Sequence, residues 1–227
     1  MSEERFRPRL ETLPQAQRRL WSELGATPPQ FVLYGGTAIA LHLGHRQSVD
    51  FDFFADRPLD PTELLLTIPY LEGAEITQRE PNTLSCVVDW GGPVKVSFFG
   101  VPRIARLRPP QVAPDNGLRV ASLLDLAGAK ARVVQMRAEA KDFLDIDALL
   151  FDGRIDLPLA LAAAQGMYGA EFNPQVSLKA LSFFDDGNLR TLPAAVRNRL
   201  ASAVQAVDLD RLPAIGARAS SDPEAMD

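Results

Sequence analysis

Two aspartates stand one residue apart in a run that otherwise reads as a buried strand, Val49 to Phe54, VDFDFF. Strand side chains alternate between faces, so Asp50 and Asp52 point one way while Val49, Phe51 and Phe53 point the other. Two carboxylates on one face of an apolar strand repel each other and are costly to desolvate. A divalent cation removes both objections. Mg²⁺ prefers a few carboxylate oxygens plus substrate phosphates to a complete protein cage. A metal-bound triphosphate against the strand's polar face would account for the pair; solvated carboxylates at a sheet edge are the plain alternative.

The residues just upstream supply the other half of that requirement. FVLY, residues 31–34, reads as a short strand and TAIALHL, residues 37–43, as a short helix stopped by Gly44. Gly35, Gly36 and Thr37 lie at their junction, where glycine lets the backbone approach a phosphate and free N–H groups attract anions. Thr37 adds a hydroxyl donor. Arg46 and Ser48, just before the aspartates, are further candidates for phosphate contacts, the guanidinium by a two-pronged grip. The chain contains neither GxxxxGK[ST] nor GxGxxG in this context, so a P-loop or Rossmann reading has no support.

A chain of 227 residues with 46% apolar and 23% charged residues is an ordinary globular sequence. Its net charge of −5 excludes a wholesale basic coat, so any nucleic-acid contact must come from a local patch. Cys86 stands alone, which fits a reducing compartment. MSEERFRPRLE has no apolar core of the secretory type. No apolar run approaches the roughly 20 residues that span a bilayer. These features predict a cytoplasmic protein with no membrane partner.

Periodicity predicts an amphipathic helix over 9–24, a brief helix over 61–68 opened by proline, and three β-like stretches, EITQR, TLSCVVDW and VKVSFF. WGGP reads as the hairpin turn between the last two. With Gly91 and Gly92 at its centre, Cys86 pairs with Ser97 and Asp89 faces the opposite side. LRPPQVAPDNG, residues 107–117, reads as a linker. Helices follow: one capped by Ser122 with Asp125 three residues on, one over AKDFLDIDALL, and others around 157–168, 174–184 and 193–207. The fold class is α+β: a mixed sheet with flanking helices, followed by a helical C-terminal half. The division is an α/β core at 1–115, a helical region at 116–215 and a polar tail at 216–227.

The stretch YGGTAIALHLGHRQSVDFDFF resembles the opening motif of the AbiEii/AbiGii toxins, a nucleotidyltransferase family within the polymerase-β-like superfamily. VASLLDLAGAKARVVQMRAEAKDFLDIDALL and SLKALSFFDDGNLR resemble later segments of the same family, so the resemblance spans residues 30–190. It implies Mg²⁺- or Mn²⁺-dependent transfer of a nucleotide from an NTP to an acceptor hydroxyl, with RNA, and tRNA in particular, as acceptor and a cognate antitoxin as partner. It further implies that Gly36 and Thr37 hold the triphosphate, that Asp50 and Asp52 bind the metal, and that Lys130 and Asp142 complete the catalytic set.

One departure from the superfamily pattern matters. A third carboxylate is expected on a neighbouring strand, and Ser97 stands where it would be; Asp142 is the candidate to take its place. A nucleotide-binding or partner-binding module with reduced catalysis is therefore the alternative reading, and a small-molecule nucleotidyltransferase a third. His42 and His45, three apart, lack a third metal ligand and suit a helix-surface or phosphate-proximal place. Without the resemblance, Lys130 reads as a snorkelling lysine, and Asp142 and Asp145 as solvated helix residues. Cys86 reads as a core residue.

Overall fold

The computed structural model describes residues 6–102 and 104–215. The polar tail predicted at 216–227 lies outside the described residues. A mixed sheet of seven strands organises the fold, in the order β3-β4-β5-β2-β1-β7-β6. Its strands are β1 (Val32–Tyr34), β2 (Asp50–Ala55), β3 (Glu75–Glu80), β4 (Thr83–Asp89), β5 (Pro93–Gly100), β6 (Gln111–Val112) and β7 (Arg119–Val120). The helices are α1 (Gln15–Trp21), α2 (Gly35–Leu43), α3 (Pro61–Thr67), α4 (Leu123–Val133), α5 (Ala140–Phe151), α6 (Leu157–Tyr168), α7 (Pro174–Leu181) and α8 (Ala194–Gln205). This is the predicted class: a mixed sheet with flanking helices, followed by a run of helices.

Local chemistry explains most element boundaries. Pro14 precedes α1, so the helix predicted over 9–24 divides into a 3₁₀ turn, α1 and a second 3₁₀ turn. Gly44 ends α2 in the left-handed conformation that glycine adopts without strain. Ser122 caps α4 by accepting from the Asp125 backbone N–H. Asp156 and Asn173 cap α6 and α7 in the same manner. The segment read as a linker carries β6, which pairs with β7, and β7 in turn runs parallel to β1.

In β2, Phe51, Phe53 and Ala55 are fully buried while Asp50, Asp52 and Phe54 are partly exposed. The closed face of the sheet stacks Phe53 on Phe98 at 5.2 Å and packs α1 against β5. Asp50 pairs with Lys95 and Asp52 with Ser97 across the parallel β2–β5 ladder. The β4–β5 hairpin differs from expectation by one residue. Ser85, not Cys86, pairs with Ser97, and Asp89 pairs with Pro93. The turn has three residues, Trp90, Gly91 and Gly92, because Asp89 accepts from both glycine N–H groups and draws the loop tight. A one-residue slip reverses every side chain. Cys86 is thereby buried on the closed face, and Asp89 shares the side of Ser97, at the far hairpin end.

Among the described residues no helix is long and apolar enough to cross a membrane.

Candidate active site

The open face of β2 forms the floor of a cleft of about 600 Å³. One end is polar, with Gly35, Gly36, Arg46, Ser48, Asp50 and Asp52 on its wall. Along β2 the lining turns apolar past Asp52, where Phe54 stands beside Phe99, and Tyr34, Ile104, Leu126 and Tyr168 complete the apolar lining. The α4 helix and its continuation supply Lys130, Arg132 and Arg137, with Met136 at the rim, 74% exposed.

Period two brings Asp50 and Asp52 onto the same face of β2. Burial, followed by the charge of Asp50, raises the Asp52 carboxyl above its ordinary value, although Lys95, Lys130 and Arg137 pull it down. That is the signature of an uncompensated acidic pair, and it fits a site built for a cation. Among the described residues no group of three His, Cys, Asp or Glu side chains converges as a metal cage. Two carboxylates facing a polar cleft nevertheless suit Mg²⁺, which takes its remaining ligands from water and phosphate.

The two glycines are explained by what lies against them. Gly35 has φ of +74°, and a Cβ there would meet Asp52 Oδ2 at 2.8 Å. A Cβ on Gly36 would lie 2.2 Å from Arg46 Nη2 and 3.2 Å from Ser48 Oγ. Both glycines thus let a carboxylate and a guanidinium close on the start of α2. No side chain caps that helix end, so its N-terminal N–H groups and dipole face the same corner. Thr37 stands behind this corner. Its hydroxyl donates to the Asp50 carbonyl and bonds the Ser48 hydroxyl at 2.9 Å, and the residue is buried. Thr37 therefore braces the cradle rather than lining it.

Behind the polar end lies a buried ion cluster that joins α2, α4 and α5. Lys130 Nζ reaches Asp142 at 2.6 Å and Asp145 at 2.7 Å. Arg137 grips Asp142 through Nε at 2.7 Å and Nη2 at 3.1 Å. Arg46 grips Asp145 through Nε at 2.7 Å and Nη2 at 2.9 Å, and His45 Nε2 donates to Asp145 at 2.7 Å. Both aspartates are completely buried, not solvated. For Asp145, burial pushes the pKa up, but His45, Lys130 and Arg46 more than offset it and hold the carboxyl well below the usual range. For Asp142, burial acts the same way and Arg137 and Lys130 prevail.

This cluster revises several expectations. Lys130 is buried and ion-paired, not a snorkelling surface lysine. Asp142, expected as a stand-in for a third carboxylate, is wholly buried and bonded to Lys130 and Arg137. The strand position in question holds Ser97, hydrogen-bonded to Ser85 at 3.1 Å. His42 and His45 part company: His42 Nε2 donates to the Ala121 carbonyl at 2.9 Å, and burial lowers its pKa to about 4. Asp145 is the residue that sequence reasoning left without a role. The i, i+3 spacing from Asp142 put both on one helix face, but nothing local showed that this face is buried.

Comparison with known proteins places this geometry in a family. The model described as Nucleotidyl transferase AbiEii toxin, Type IV TA system, matches residues 19–218. An uncharacterized protein of Aquifex aeolicus is 31% identical over 158 residues, which is 69% of this chain and 74% of that protein. Among solved structures, the nucleotidyltransferase toxin MenT4 of Mycobacterium tuberculosis superposes with a TM-score of 0.57 at 20% identity, covering 86% of this chain and 83% of that one. A protein of H. pylori described as a nucleotidyltransferase superposes with a TM-score of 0.51 at 18% identity, covering 84% and 91%. At those identities the two structures speak to the fold alone.

Proposed function

Because the chain belongs to the AbiEii family of nucleotidyltransferase toxins from type IV toxin–antitoxin systems, we propose that it transfers a nucleotide from an NTP to a hydroxyl of RNA, with a divalent metal as cofactor. One observation carries this reading: Asp50 and Asp52 share the cleft face of β2, beside an uncapped helix start against which Arg46 is packed.

In this reading Asp50 and Asp52 hold Mg²⁺ or Mn²⁺, which when bound supplies Lewis-acid charge to the phosphate oxygens. The N–H groups at Gly35 and Gly36 and the guanidinium of Arg46 orient the triphosphate, while Ser48 lines the cradle and Thr37 braces it. Lys130 contributes through the Asp142–Asp145 cluster that shapes the wall. The apolar end, with Tyr34, Phe54 and Tyr168, accommodates the nucleobase and excludes water from it. An acceptor hydroxyl oxygen then attacks the α-phosphorus in line, the bond from that phosphorus to the bridging oxygen breaks, and pyrophosphate leaves.

A polyanionic acceptor is supported by the charge of the cleft. Among the described residues Arg46, Lys95, Lys130, Arg132, Arg137 and Lys141 line it beside Asp50 and Asp52; Arg46, Lys130 and Arg137 also pair with Asp142 and Asp145 behind the wall, in a chain whose net charge is −5. A wall that presents cationic side chains to the cleft concentrates a polyanion locally. The toxin's antitoxin is the second partner in this reading.

Incubating the protein with Mg²⁺, each labelled NTP and total RNA tests the assignment. Label should enter RNA with wild type, and Asp50→Ala or Asp52→Ala should lower the rate by at least about 100-fold. Wild-type rates in either variant would remove the metal role. NTP binding without label on any acceptor would favour a nucleotide-binding module, the reading to which the Ser85–Ser97 pair lends weight.

A further inference from the structure

Resting on the reading of the cleft as an NTP site, we infer that Asp145 is the positioning residue of its phosphate cradle: it indexes the Arg46 guanidinium against the start of α2. The two residues are separated by 99 positions in the chain and meet through a side-on fork, Nε to Oδ1 at 2.7 Å and Nη2 to Oδ2 at 2.9 Å. Arg46 Nη1 donates to the Gln47 carbonyl at 2.8 Å. A guanidinium carries five N–H donors. With Nε, Nη2 and Nη1 each giving one to these partners, a further N–H on Nη1 and on Nη2 is left for a ligand. Arg46 lines the cleft, so the arrangement offers an anion a planar pair of donors next to the helix N-terminus.

Asp145 is itself held on every side. Its carboxylate is completely buried and also accepts from His45 Nε2 and Lys130 Nζ. The imidazole's Nδ1 is buried and meets no hydrogen-bond partner among the described residues. An arginine gripped in this way loses little freedom when a phosphate arrives, and pre-organisation of that kind raises affinity. Gly36 completes the device, since any Cβ there would drive the guanidinium out.

Asp145 touches no substrate in this scheme, so its effect should pass through Arg46. Binding of ATP, CTP, GTP and UTP with Mg²⁺, without RNA, is measured by calorimetry for wild type, Asp145→Asn, Arg46→Ala and the double variant. The NTP that binds wild type most tightly should bind Asp145→Asn and Arg46→Ala each about tenfold more weakly, the loss of one charge-assisted contact. The double variant should bind no more weakly than Arg46→Ala. A further tenfold loss in the double variant overturns the indexing role. Arg46→Lys, which keeps the charge and loses the fork, should bind as weakly as Arg46→Ala within about twofold; binding at wild-type strength overturns the inference even if Asp145→Asn does not fold. Failure of wild type to bind any NTP overturns the parent reading, and this one with it.

Discussion

Asp52 is the residue at which stability and function pull apart. Its carboxyl is raised by burial and by Asp50, so ionising it costs more in the folded protein than in the unfolded chain. For an acid shifted in this direction, the group's own contribution to stability is greatest below the ordinary value near 3.8. That contribution is lost as pH rises from there through the raised value. Asp52→Asn removes the penalty. Without metal, the variant should melt higher than wild type at pH 7, by a few degrees at the order of magnitude expected for this size. The gain should shrink toward pH 4, as a melting series would record. A gain unchanged over that range would show that Asp52 ionisation is not the source. The same substitution should abolish transfer, because an amide is a poor ligand for a hard cation.

At the scale of elements, the ion cluster decides how α2, α4 and α5 sit against one another. Breaking a buried ion group by deleting one partner leaves an uncompensated charge and costs about 3–5 kcal/mol. Lys130 serves two buried carboxylates at once, so Lys130→Met should fall in that range, measured by denaturant unfolding. A loss under about 1 kcal/mol would match a solvated lysine instead. Asp142 and Asp145 give the cluster a pH signature of opposite sign to that of Asp52. Both are depressed, so their contribution is complete above the ordinary carboxylate range and is lost as pH falls through it toward their lowered values.

For the whole molecule, the cleft is where sheet and helices meet, and a ligand there binds only the folded form. A ligand at 100 times its dissociation constant adds about 2.7 kcal/mol to stability. Mg²⁺ with the preferred NTP should therefore raise the melting temperature of wild type. Asp50→Ala should lose most of that rise, because the metal links nucleotide to protein. An equal rise in wild type and Asp50→Ala would place the metal elsewhere. Thermal melting with metal alone, NTP alone and both together separates the contributions.

How much of this was legible beforehand follows the range of the interactions. Period two along VDFDFF put both aspartates on one face, and the Gly44 stop and the Ser122 cap followed from the conformations those residues favour. These are properties of a few neighbouring residues, which is why the order of β1 to β5 and of the helices could be read directly, while the two-residue strands β6 and β7 could not. The hairpin register could not, because it turned on whether Asp89 would pull the turn from two residues to three. Nor could the fates of Lys130, Asp142 and Asp145. A charged residue at helical spacing looks the same whether its face meets water or the interior. What the sequence alone determined is a strand with a polar face beside a phosphate-ready helix start. The tertiary structure decided which charges spend themselves on one another, since Arg46 finds Asp145 only after the chain has brought α5 back against α2.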